Sequence, residues 1–356
     1  MQAGFGGVYG SGLARPQRGS SIVVGHESAL RFWANLRRSN AQAAKQMLGE
    51  LYPDNLLATL DSEAVWSDCS LMPLELPHDA ATYVAHALVA LGLDGPLDVV
   101  VGKHGSRRVS RAARCHVWRG PVADGLVCCP EPGVYVVSPE VALLQVASSL
   151  GFYRALALAM ELCGTYSLDD SLGCEFDVAA LTSPERIGNV ACLCTNQRGA
   201  ELLKRIANYA IGGSASPRES ALAMMLSLPR KLGGWSCPKP KLNERIELSK
   251  CAASHCGRSY LVADLLFEEA KLDVEYQGKE WHSGDEGRSR DETRQNALLQ
   301  MGLSCYFISG EQIKDEAEIG GLATFIRRQS GFREFRAKET PGMVASRADL
   351  MSAFGV

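Results

Sequence analysis

Apolar positions change their period along the chain, and each change marks an element. Ile22-Val23-Val24-Gly25 is a short apolar run, and Ala29, Leu30, Phe32 and Trp33 behind it suit a helix's inner face. His26 then stands at the helix start, where a hydrogen-bonding role is expected. Leu97 to Val137 reads as three strands, Leu97–Val101, Cys115–Trp118 and Val134–Val137, separated by Gly, Pro and basic turns. Ser138-Pro139-Glu140 opens an apolar-periodic segment, with Ser as N-cap and Pro at the first helical position. The helical pattern continues from Phe152 to Leu162, and Gly164 supplies its stop. A second helical stretch, Leu193 to Ile211, carries Arg198, Lys204 and Arg205 before Gly212-Gly213-Ser214-Ala215-Ser216-Pro217 breaks the chain.

Beyond that break, Ser216-Pro217-Arg218-Glu219 caps a helix whose following residues, Ala221 to Leu228, are nearly all apolar and so predict burial. Tyr260 to Phe267 is apolar on both faces except at Asp264. Leu272, Val274 and Tyr276 alternate with Asp273, Glu275 and Gln277, the period of a strand with one apolar and one polar face. Leu303 to Ser309 reads as a third strand and Glu311 to Arg328 as a terminal helix. The expected organisation is α/β throughout: a flexible tail at 1–20, an α/β domain at 21–181, a helical connector at 182–213, a second α/β domain at 214–335 and a tail at 336–356.

Length and composition narrow the function classes. A chain of 356 residues has room for two domains, and 46% apolar with 22% charged residues excludes disorder of the whole. A net charge of −3 excludes a global polycation, so nucleic-acid contact has to come from local basic patches. Twelve cysteines without a charged-then-apolar leader point to reduced thiols in a cytoplasm. Cys251, His255 and Cys256 form the nearest thing to a metal cluster, but no second pair stands at finger-like spacing. No apolar run approaches the about twenty residues that cross a bilayer, so no membrane association is expected.

The acids of the second domain carry the chemistry. An acid inside a buried strand is costly unless paired or metal-bound. If Phe267 faces Leu272 in a hairpin, the register sets Leu266 opposite Asp273, Leu265 opposite Val274 and Asp264 opposite Glu275. Like charges directly opposed in a ladder are destabilising, so the pairing suggests a bound cation. Oxygen-only ligands suit Mg2+ or Mn2+, which keep several waters and lean on phosphate oxygens. A one-residue slip would separate the pair. Glu219 has two readings, a first-turn acid of a capping box with Ser216 or a further ligand.

Two resemblances bear on function. His26-Glu27-Ser28-Ala29, the run at 134–140 and Glu161-Leu162-Cys163-Gly164-Thr165-Tyr166 resemble the AbiEi-type antitoxin region over about residues 22–180. That resemblance implies DNA binding and transcriptional regulation in a toxin–antitoxin setting; beside a nuclease domain, the N-terminal portion is expected to position DNA or bind another protein.

Ser214 to Glu219, Asp264, Glu275-Tyr276 with Gly278, and the Arg290-Asp291 helix together resemble the PD-(D/E)xK nuclease core over about residues 214–330. The nearest branch is the DUF559 or very-short-patch-repair-like endonucleases. The resemblance implies a mixed central sheet flanked by helices and Mg2+- or Mn2+-dependent hydrolysis of DNA. Asp264, Glu275 and Glu219 would hold the metal, Gln277 would take the signature position two after the acid, and His282 would transfer a proton or simply sit in a surface loop. Gln277 departs from the usual Lys or Asp, and its amide orients rather than ionises. Lys279, Arg288, Arg290 and Arg294 are candidate contacts to the DNA backbone. Interleaved Asp285, Glu286, Asp291 and Glu292 leave a solvated, salt-bridged helix face as the other reading of the arginines. A catalytically inactive DNA-binding regulator is the alternative function.

Overall fold

A computed structural model of the chain describes residues 21–51, 80–107, 111–120, 125–169, 173–278, 285–333 and 339–356. It is mixed α/β and divides into two units, Met1–Gly151 with Glu185–Ala207, and Phe152–Pro184 with Asn208–Val356.

The first unit is built on a sheet of five strands in the order β3-β2-β1-β5-β4. These are β1 (Ile22–Val24), β2 (Leu97–Val101), β3 (Ala113–Val117), β4 (Val127–Glu131) and β5 (Val134–Val137). β1 runs parallel to β5 and antiparallel to β2, while β2 and β3 are parallel. Every residue of β1 and β2 is buried, which is why the two segments read as near-continuous apolar runs, Asp98 excepted, rather than alternating ones. α1 (His26–Ser39) buries Ala29, Phe32, Trp33 and Leu36, one stripe at helical spacing, and Trp33 Nε1 donates to Val137 O at 2.8 Å. α2 (Ala41–Leu51) and α3 (Ala80–Leu91) follow.

α4 (Pro139–Leu162) is long and apolar enough, by length and composition, to cross a bilayer, which corrects the expectation that no such run exists. It is interrupted at Gly151, at φ 75° and ψ 175°, and its apolar positions, such as Leu143, Leu144, Leu156 and Met160, are fully buried in the protein. Segment 182–213, read as one helical connector, holds two helices, α5 (Pro184–Leu193) and α6 (Ala200–Tyr209). They are separated at Gly199, whose φ is +97° and where a Cβ would meet Leu144 O at 3.0 Å.

In the second unit, a two-stranded hairpin of β6 (Tyr166–Asp169) and β7 (Gly173–Phe176) precedes α7 (Pro217–Ser227). Tyr166 Oη and Ser220 Oγ are hydrogen-bonded at 3.0 Å, and Thr165 N–H donates to Ser214 O at 2.8 Å. These bonds join segment 152–184 to the start of α7. A four-stranded sheet has the order β11-β10-β9-β8. β8 (Lys241–Glu247), β9 (Tyr260–Phe267) and β10 (Leu272–Gln277) form an antiparallel meander, with α8 (Lys250–Cys256) between β8 and β9. α9 (Asp285–Gln300) then crosses over to β11 (Ser304–Ser309), which pairs parallel to β10.

α10 (Glu316–Gln329) is capped by Asp315, whose carboxylate accepts from Ala317 and Glu318 N–H. The segment 336–356, expected as a tail, contains α11 (Pro341–Ala353), capped by Thr340 and anchored by buried Arg347 and Leu350. Arg347 donates to Gly233 O, pairs with Glu316 and Glu339, and lies over the Trp235 ring. Pro341 at the first turn and Thr340 before it were the readable signals for this helix.

Candidate functional site

β9 and β10 pair in the register Leu272–Phe267, Asp273–Leu266 and Val274–Leu265. The paired register ends there, and beyond it side chains take over from the backbone ladder. Asp264 N–H donates to Glu275 Oε1 at 3.2 Å, and Tyr276 N–H donates to Asp264 Oδ2 at 2.9 Å. Each carboxylate therefore holds the backbone of the other strand.

The opposite edge of Asp264 is irregular too. β8 pairs through Leu242–Leu265 and Glu244–Ala263, and Asn243 between them has φ +50°. Left-handed backbone costs a non-glycine residue about 1 kcal/mol, and Asn tolerates it better than most. Strain of this sort gathers at functional sites. Asn243 Nδ2 uses the conformation to donate to Gly213 O at 3.0 Å and Glu219 Oε2 at 2.7 Å.

Glu219 is buried in the first turn of α7. Its N–H donates to Ser216 Oγ at 3.2 Å, one half of a capping box, but its carboxylate accepts from Ala215 N–H at 3.0 Å rather than from Ser216. The protein's donors thus reach one oxygen of each acid: Glu219 Oε2, Asp264 Oδ2 and Glu275 Oε1.

A fourth acid, Asp273, was legible only as part of the polar face of β10. That face is covered, and Asp273 is 0% exposed. Arg294 reaches it from α9. Nη2 of Arg294 donates to Asp273 Oδ2 at 3.0 Å and to Val262 O at 2.5 Å, and also bonds Glu275 Oε1. Arg294 was expected at a DNA backbone or on a solvated helix face; its guanidinium instead turns into the domain, because two desolvated carboxylates attract it more strongly than water does. Asp273 Oδ1 is buried without a donor among the described residues.

The electrostatics follow from crowding. Burial raises the Asp264 carboxyl well above the usual range, and the charges of Glu219 and Asp273 push the same way against Tyr276 N–H and Arg294. Burial, then Asp264 and Asp273, raises Glu275, with Arg294 opposing. Asp273 is raised by burial, against its bonds to Glu275 and Arg294. One guanidinium therefore falls short of neutralising the acids, and the cluster holds protons at neutral pH or takes another cation.

Gln277 ends β10 opposite Ser309 of β11. Lys279 and His282 lie outside the described residues. Arg288 and Arg290 fall on α9, with their side chains also outside that description. Among the described residues no three His, Cys, Asp or Glu side chains form a ready-made metal cage, Cys251 and Cys256 included.

The first unit has a polar cluster that the sequence did not announce. Asp98, 1% exposed, accepts from Ser28 N–H and Oγ, from Arg114 at 2.8 and 2.9 Å, and bonds His116 Nε2 at 2.8 Å. Burial alone would raise the Asp98 carboxyl, yet the bonds from His116, Arg114 and Ser28 hold it down at about 2. The His26 ring stacks on His116 at 3.7 Å, and burial together with His116 lowers its pKa to about 4. The expectation that His26 bonds at the helix start is met by its backbone, which donates to Gln145 Oε1 at 2.7 Å.

No family model, curated protein or solved structure matches this chain.

Proposed function

We propose that residues 214–335 form a metal-dependent DNA endonuclease of the PD-(D/E)xK kind, or a close derivative of one, working in the cytoplasm in a defence or toxin–antitoxin setting. The observation that carries this reading is the meeting of Asp264 and Glu275 on adjacent strands, each carboxylate accepting a backbone N–H of the other strand. The order α7, β8, β9, β10, α9, β11, a helix, an antiparallel meander and a parallel return strand, supports it.

The residues fit a hard divalent ion. Their donors are all oxygens, buried Asp273 Oδ1 lacks a partner among the described residues, and Mg2+ needs only one or two carboxylates because it keeps its waters. Asp264 and Glu275 would hold the ion, with Glu219 as a further ligand or water contact. An ion held there would supply Lewis-acid chemistry, polarising a phosphoryl oxygen and lowering the pKa of a water. Gln277 orients water or substrate through its amide, His282 is the proton-transfer candidate, and Lys279, Arg288 and Arg290 are the candidate backbone contacts.

A second reading has its own observation. The site already carries a cation in Arg294, and Gln277 supplies no charge, as suits an inactive nuclease framework that binds DNA as a regulator. Nicking of supercoiled plasmid with Mg2+ or Mn2+ separates the two. Cutting that disappears in Asp264→Ala and Glu275→Ala supports the endonuclease. A gel shift that survives both changes, with no metal-dependent cutting by any variant, supports the regulator.

A further inference from the structure

We propose that Arg294 is the internal counter-cation of the acidic site and competes with the divalent ion for Glu275. The inference deepens the metal-site reading above and rests on it.

A single nitrogen of Arg294 bonds acceptors on two strands: Val262 O on β9, and Asp273 and Glu275 on β10. Among the described residues it is the sole basic side chain paired with Asp264, Asp273 or Glu275. Fully buried Asp273 fixes the guanidinium over the acids, its own side chain being only 19% exposed. An ion bound by Glu275 would stand beside a positive charge already bonded to that carboxylate. In a desolvated site such like charges repel strongly, so the arginine weakens metal binding. A purely structural arginine acts with the opposite sign, since its loss would disorder the ligands and loosen the ion.

The test titrates full-length protein with Mn2+, following free Mn2+ by electron paramagnetic resonance, for wild type, Arg294→Met and Arg294→Lys. Arg294→Met is expected to bind Mn2+ about tenfold tighter or more, and Arg294→Lys, which keeps the charge, to stay near wild type. Added Mn2+ then raises the melting temperature of Arg294→Met more than that of wild type. Folded Arg294→Met that binds Mn2+ equally or more weakly overturns the proposal. Should that variant fail to fold without metal, Arg294→Gln replaces it, with the same two outcomes. Mn2+ binding with no plasmid cutting by wild type removes the endonuclease reading and leaves this inference to the variants. Cutting by wild type with unchanged affinity in Arg294→Met removes this inference alone. Absence of Mn2+ binding by every variant removes both.

Discussion

Asp264 and Glu275 are coupled through backbone as well as through charge: Asp264 N–H donates to Glu275 Oε1 at 3.2 Å, while Asp264 Oδ2 accepts from Tyr276 N–H beside Glu275. Neither acid can turn away without releasing a strand bond. The acids that repel each other most are therefore held together by the sheet itself, and four testable consequences follow from this and the neighbouring clusters.

Replacing one acid by its neutral isostere should stabilise the metal-free protein while removing the proposed nuclease activity. Asp264→Asn removes a desolvated charge facing Glu219 and Asp273 and is expected to raise metal-free stability by about 1 kcal/mol. Plasmid cutting should fall by about a hundredfold or more. Denaturant titration in EDTA checks the first part and plasmid nicking the second. Equal loss of stability and cutting would point to a damaged fold rather than a lost ligand.

The two units should respond to pH with opposite signs. Asp264, raised to about 7, binds a proton in the folded state that the unfolded chain releases near pH 4. Its site is stable at acid pH and loses stability as pH rises from about 4 through 7. In the first unit, His26 is lowered to about 4, so the unfolded chain takes up protons first and stability falls as pH drops below about 6.5. Asp98, held at about 2, adds a further loss as pH falls from about 4 towards 2. Hydrogen exchange followed by mass spectrometry, run in EDTA across this range, reads the units separately. Parallel trends in both would contradict the assignment.

Asn243 should be worth more than a half-buried polar position on a strand suggests. Asn243→Ala loses the bonds to Glu219 and Gly213 and places a Cβ in left-handed backbone, for a cost of about 2 kcal/mol. Asn243→Gly loses the same bonds without the strain, so it should cost less. Urea melts of the two variants decide the order, and a more stable alanine variant would show that the strain is absent.

Asp98→Asn should destabilise by about 2 kcal/mol, because Arg114 and His116 lose their charged partner while Arg114, half exposed, recovers some solvation. The acid limb of the pH–stability curve should flatten in the same variant. Calorimetric melts at several pH values test both effects.

The strands at 97–101, 134–137, 260–267, 272–277 and 304–309 were legible because period and β-branched composition are local properties. The β9–β10 register was an assumption that the pairing of Leu272 with Phe267 bears out as far as Val274–Leu265, while Ser216-Pro217 announced the start of α7. The covering of a face is not a local property. Period placed Asp273 on a polar side of β10, but only the packing of α9, which buries Ala297 and Leu298 beside Leu261 and Cys305, turned that side inward and delivered Arg294 to the acids. The same holds for Asn243 reaching Glu219, for Arg114 and His116 closing on Asp98, and for Arg347 docking α11. Such pairs join residues well apart along the chain, and desolvation selects them after the backbone has brought their elements together.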